Sequence, residues 1–294
     1  MVTTPVRPFR FGVVLIATGC SRQEWVTKCR RAEDLGYDVI AAPDHIDLPS
    51  PFPSVVLAAE VTERPRIGVY VVNTGLHNPA LLARDIATTD RFLDGRLEIG
   101  LGTGYVAADF ARTGVPIGRP GDRVDKLERT IIELEQHLGW PDNRLVQSPR
   151  PPMLVGGHGD RVLGLAAEHA SIVSFVGARL RPEHGRMCVV DAATLRERVE
   201  FVRAAAGPRA DQLELNVLTK ATLLTGDRRA GARELLKYGP GLSVDQLLEL
   251  PTMLIGTAGD IAGQLLGHRE DFGISYFTVL EAAMENFGRV IARL

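Results

Sequence analysis

Cysteine is scarce. Only Cys20, Cys29 and Cys188 occur in 294 residues, and their wide spacing excludes paired thiolate ligation of a metal and a disulfide-stapled fold. Free thiols in a reducing cytoplasm are the expected state. Long apolar runs are missing too: none approaches the roughly 20 residues that span a bilayer, so no membrane partner is expected. The N-terminal stretch MVTTPVRPFRFGVVLIATGCS sets arginines before a run at 11–17. That run is too short for a secretory leader and reads as a first buried strand. Neither charge dominates. With 34 basic and 36 acidic residues the net charge is −2, and the basic residues are scattered, which leaves no electrostatic footprint for nucleic acid. His158, His169 and His184 make no metal spacing with any acid, so no metal is assigned. Linker composition is also lacking, and one domain over residues 1–294 is expected.

What is present is a clear strand–helix–strand unit at residues 66–105. Residues 67–73 form a continuous run, apolar up to Asn73 and rich in β-branched side chains, as suits a parallel strand buried on both faces. Asn78-Pro79 supplies a helix cap and a first-turn proline. Leu82, Ile86, Thr89 and Leu93 follow at helical spacing, and Gly95 stands where a left-handed terminator belongs. A second strand at 97–101 ends in Gly102-Thr103-Gly104. Strands joined by such a crossover helix run parallel and right-handed. Ligands gather at the carboxyl ends of such strands, here at 73–75 and 102–105.

Six further strands read as 9–17, 38–42, 153–155, 171–176, 213–224 and 274–280, with helices between them. Eight strands alternating with helices predict an α/β fold of the (β/α)8 TIM barrel type, with insertions in the loops at 177–190 and 238–257. An open doubly wound sheet is the alternative.

Candidate residues collect at the predicted carboxyl rim. Gly156, Gly157, His158 and Gly159 stand between a strand and a helix start, where exposed N–H groups and the helix dipole favour a phosphate. A tight turn that binds nothing is the plain alternative. Gly100 to Gly104 resembles a nucleotide motif but follows the wrong strand, and reads better as a turn leaving room for a ligand. Asp44-His45 ends the second strand. His45 suits acid–base work with Asp44 to orient it or to hold a polar ring edge, unless Asp44 merely caps the loop and His45 is solvated. Arg179, Arg181, His184 and Arg186 suggest an anion contact or, more simply, a solvated basic loop. Glu281 either faces the rim or starts a helix.

Pro43-Asp44-His45, Val71-Val72-Asn73, Asn78-Pro79-Ala80, Gly95-Arg96, Gly102-Thr103-Gly104, Gly121-Asp122-Arg123, the run from Pro151 to Gly157, and Leu254-Ile255-Gly256-Thr257 occur in this order over nearly the whole chain. Together they resemble the bacterial luciferase-like family, and within it the oxidoreductases that use coenzyme F420. The resemblance implies hydride transfer between a deazaflavin and a small organic substrate, with FMN monooxygenase chemistry as the alternative and a non-catalytic coenzyme-binding protein as the second. It implies a phosphate on the 156–159 loop, a cis peptide at Tyr70–Val71 behind the ring, and a homodimer. Asp44, Asn73, Thr103 and Gly104 would meet the coenzyme, and His45 would be the acid or base. Sugar-phosphate dehydrogenases of the family carry a glutamate where this chain has Tyr105, and a tryptophan where it has residues 46–48. Both departures argue against that substrate, while Tyr105 remains a candidate to polarise a carbonyl.

Overall fold

In the computed structural model, which describes residues 7–176, 178–181 and 186–294, strand and helix alternate from the start. The first half runs β1 (Arg10–Val14), α1 (Arg22–Asp34), β2 (Val39–Ala42), α2 (Pro51–Glu60), β3 (Arg66–Asn73), α3 (Pro79–Phe92) and β4 (Leu97–Gly102). Helices α4 (Ala107–Thr113) and α5 (Pro120–Leu138) lead to β5 (Met153–Gly157), α6 (Asp160–His169) and β6 (Ile172–Phe175). A hairpin of β7 (Ala178–Arg181) and β8 (Arg186–Val189) precedes α7 (Ala192–Ala206) and β9 (Glu214–Leu218). The chain then passes through β10 (Ala221–Leu224), α8 (Arg228–Leu235), α9 (Val244–Leu248), β11 (Met253–Gly256), α10 (Ala258–Phe272), β12 (Tyr276–Leu280) and α11 (Met284–Ile291). Strands β1 to β6, β9 and β12 close into a parallel barrel, with β12 pairing back onto β1. The expected TIM-type barrel is the observed one, and closure rules out the open sheet.

Local chemistry places the elements as the caps predict. Ser21 and Glu24 form a reciprocal capping box on α1. The Asn78 side chain accepts from Ala80 N and Leu81 N at the head of α3. Gly95 takes a φ of +76° beyond its end, a conformation that an L side chain resists. One expected strand divides. Residues 213–224 leave the barrel at Thr219, whose N–H bonds Thr278 O at 2.9 Å, while Lys220 N donates to Thr252 O at 2.8 Å. β10 then pairs with β11 in a separate two-stranded sheet over its own small core of Ala232, Leu247, Leu250, Met253 and Ile255. The stretch LELNVLTKATLL holds neither Gly nor Pro to mark the crossing. The short helices α4 and α9, and strands β7, β8 and β11, lie in stretches read as loops.

Side chains alternate along each strand, so Phe11, Val13 and Ile40 pack outward under the helices. The interior is layered, as barrels of this type are. Arg10, Glu98 and Glu214 make a charged layer at the amino end, with Arg10 paired to both acids. Above it Val39, Leu154, Ile172 and Tyr276 form an apolar layer. Nearer the carboxyl end Asn216 accepts from Ser174 Oγ at 2.7 Å and donates to Thr278 Oγ1 at 2.8 Å. The floor below the rim is thus packed and its polar groups are paired.

His268 of α10 packs against the rings of Phe272 and Phe277 at 5.8 and 6.0 Å. Burial pushes its pKa down to about 4 from 6.5, with Asp271 opposing. The unfolded chain therefore takes up this proton first, so the group is neutral to stability above pH 6.5 and destabilises as pH falls from 6.5 to about 4. At about 1.36 kcal/mol per unit the ceiling is roughly 3 kcal/mol, and partial exposure reduces it. Denaturant titrations at about pH 7.5 and 4.5 test this: His268→Leu is expected to lose about 1–2 kcal/mol less than the parent over that interval. Equal losses would exclude His268 as the titrating group.

Candidate active site at the carboxyl rim

The segment after β2 turns outward at Pro43 and presents Asp44 and His45, and the two side chains find different partners. Asp44 is buried; its Oδ2 accepts from Asn73 N at 2.9 Å and meets His77 Nε2 at 2.9 Å. His45 instead sets Nδ1 2.8 Å from Asp109 Oδ2, while Ile46 N donates to Asp109 Oδ1 at 3.2 Å. The expectation that Asp44 orients His45 is therefore corrected: Asp44 serves His77, and Asp109 serves His45. Both histidines line one cavity of about 280 Å³, whose wall includes Ile46, Phe52 and Leu76. An open groove of about 640 Å³ lies on the flank between α2 and α3, lined by Leu57, Arg84 and Phe92 among others. It is the larger, but it holds no strand end, and the rim cavity is where the titratable side chains converge.

Helix α4 brings Asp109 to the rim. Its Phe110 packs on Gly75, where a Cβ would stand 2.8 Å from the ring, so a side chain at 75 would push the helix and Asp109 outward. Neither His77 nor Asp109 was among the residues picked from sequence. His77 carried a usable signal, since it lies just past the carboxyl end of β3. Asp109 carried none, being inside a helix too short to show periodicity.

Asn73 is buried and its Oδ1 accepts from Gly75 N at 3.1 Å. Thr103 and Gly104 are half-buried at the end of β4. The glycines of that strand do not leave room for a ligand, contrary to expectation. A Cβ at Gly100 or Gly102 would stand 2.9 or 2.6 Å from the Val71 methyls, and one at Gly104 2.0 Å from Asn73 Oδ1. Their missing side chains admit Val71 and Asn73 instead. The Tyr70–Val71 peptide is cis, as the resemblance implied. Tyr70 turns its hydroxyl across the barrel to Ser174 Oγ at 2.5 Å and Asn216 Oδ1 at 3.2 Å, and burial holds its pKa well above the ordinary range. Tyr105 is 71% exposed and is not part of the cavity wall. Glu281 pairs with Lys28 at 2.6 Å and accepts from Ile16 N at 2.6 Å, a structural tie at the end of β12. His184 lies outside the described residues, as do the side chains of Arg179, Arg181 and Arg186.

Gly156, Gly157, His158 and Gly159 pass from β5 into α6 as expected. A Cβ at Gly156 would meet nothing closer than 3.8 Å, and one at Gly159 nothing within 4 Å. Gly159 caps α6 without a side chain to occupy its first N–H groups. Arg198 of α7 reaches the same helix start and pairs with both Asp160 and Glu197. Gly157 differs: Val162 stands 2.4 Å from its would-be Cβ, so it serves packing.

Residues 8–253 match the model of the family described as luciferase-like monooxygenase. An uncharacterized protein of Mycobacterium tuberculosis (strain ATCC 25618 / H37Rv) is 26% identical over 178 residues, 49% of this chain and 62% of that protein. The matched stretch is thus under two thirds of the relative's length. Among solved structures, the coenzyme F420 dependent tetrahydromethanopterin reductase from Methanopyrus kandleri superposes with a TM-score of 0.71 at 17% identity, over 98% of this chain and 99% of that one. The oxygenating constituent of 3,6-diketocamphane monooxygenase from Pseudomonas putida, in complex with FMN, gives 0.71 at 15% identity over 97% of each chain. Further structural matches include other monooxygenases. At these identities the likeness is one of fold, and the match over residues 8–253 carries the assignment: the chain belongs to the luciferase-like monooxygenase family.

Proposed function

We propose that the protein is an oxidoreductase that holds an isoalloxazine-type coenzyme at the carboxyl rim and acts on a small organic substrate. FMN in a monooxygenase reaction is the first choice. Monooxygenases recur among the similar structures, and this weighs against the F420 expected from sequence motifs. F420-dependent hydride transfer stands second, favoured by the similarity to the Methanopyrus reductase.

The open start of α6 carries the proposal. Gly156 and Gly159 leave the backbone approachable, the helix dipole favours an anion, and Arg198, which pairs with Asp160 and Glu197, stands beside it. These residues fit a phosphate, and Gly156, Gly159 and Arg198 would hold it. When bound, the flavin or deazaflavin supplies the redox ring. The chain supplies the rest: β3 and β4 form a packed floor, Asp44 fixes the rim through Asn73 N, and His45 takes or gives a proton at Nε2.

Fluorescence titration of the apo-protein with FMN, riboflavin and F420 tests both the site and the choice. FMN is expected to bind at least about tenfold tighter than riboflavin, about 1.4 kcal/mol for the phosphate. Arg198→Ala is expected to erase much of that difference. Equal affinities for FMN and riboflavin would remove the phosphate loop from the site, and tight binding of F420 alone would reverse the order of coenzymes.

A further inference from the structure

Asp109 is 2% exposed, and a carboxylate buried that far needs donors on its oxygens. Both come from one loop: Ile46 N on Oδ1 at 3.2 Å, and His45 Nδ1 on Oδ2 at 2.8 Å. A carboxylate only accepts, so the imidazole nitrogen facing it carries the hydrogen. A neutral His45 then bears its hydrogen on Nδ1 and its lone pair on Nε2. The surrounding groups do not compete. Asp44 is committed to His77 and to Asn73 N, and Asp47 lies exposed in the loop.

We propose that Asp109 is a positioning residue that locks His45 as the Nδ1–H tautomer, so that Nε2 serves the rim cavity as the proton acceptor. The inference rests on the reading of His45 as the acid–base group, and deepens it by assigning the direction of the first proton transfer: toward His45. The imidazolium so formed is held by the same buried carboxylate.

The variant Asp109→Asn separates charge and tautomer from shape. Ile46 N–H still requires an acceptor, so the amide oxygen stays on Ile46 and the NH₂ turns to His45. Nδ1 must then accept, and the hydrogen moves to Nε2. Long-range ¹H–¹⁵N correlation spectra of the apo-protein at about pH 8.5, above the ordinary imidazole range, read this directly. Nδ1–H is expected in the parent and in Asp109→Glu, and Nε2–H in Asp109→Asn. With coenzyme present, kcat of Asp109→Asn is expected to fall at least about tenfold, with KM changing less than about twofold. Nε2–H in the parent overturns the proposal even if the variant fails to fold, as does an unchanged Nδ1–H in a folded Asp109→Asn. A reversed tautomer with unchanged kcat upholds the placement by Asp109 and removes His45 from acid–base chemistry, so the two failures are distinguishable.

Discussion

Replacing His45 by alanine is expected to lower kcat by about 10²–10³-fold while coenzyme affinity changes less than about threefold. The size follows from what a positioned general acid or base contributes. The asymmetry follows from the fold. His45 stands after β2 against Asp109, whereas the phosphate site proposed at Gly156, Gly159 and Arg198 lies at the start of α6, beyond β5. Turnover on a panel of aldehydes, ketones and enones gives kcat, and fluorescence titration of the same preparation gives affinity. A parallel loss of both, or no loss of turnover, would take the acid–base role from His45. Tyr105→Ala serves as the comparison. At 71% exposure and outside the cavity wall, that side chain is expected to affect turnover by less than about fivefold.

The barrel was readable because its signals are local. Ser21, Asn78-Pro79 and Gly95 each satisfy backbone groups within a few residues of themselves, so cap and terminator are written where they act. The division of residues 213–224 was not readable. It depends on which distant carbonyl, Thr278 or Thr252, receives the next N–H, and a stretch without Gly or Pro suits either sheet equally.

The site divides along the same line. Asp44 and His45 identified the rim because both follow a strand end. Their adjacency suggested that they pair, yet consecutive residues in extended chain project to opposite sides. Their true partners lie 33 and 64 residues away. The glycines of β4 misled for a related reason. A glycine in a strand marks a close approach without saying whether a ligand or another side chain makes it, and here Val71 does.

The charged layer at the foot of the barrel predicts the largest effect on stability. Arg10 pairs with Glu98 and Glu214, and its guanidinium lies 4.6 Å above the Tyr276 ring. Both acids are buried, at 5% and 8% exposure. Arg10→Ala leaves Glu98 with Arg66 at 2.7 Å but takes from Glu214 the stronger of the two cations, Arg10 and Arg7, that oppose its desolvation. Breaking a buried pair in this way costs about 3–5 kcal/mol, a large share of the roughly 5–15 kcal/mol that holds a protein folded. Thermal and denaturant unfolding are expected to show that loss. Arg10→Met with Glu214→Gln should recover most of it, because the uncompensated charge goes with its partner. Acidification separates charge from packing. Burial already raises the Glu214 pKa and Arg10 opposes that rise, so without Arg10 the acid protonates at higher pH still. Once neutral it no longer carries the penalty, and the deficit of Arg10→Ala should shrink between about pH 7.5 and 5. A deficit that stays constant over that range would place the loss in the contact with Tyr276 and leave the charged layer without the role assigned to it.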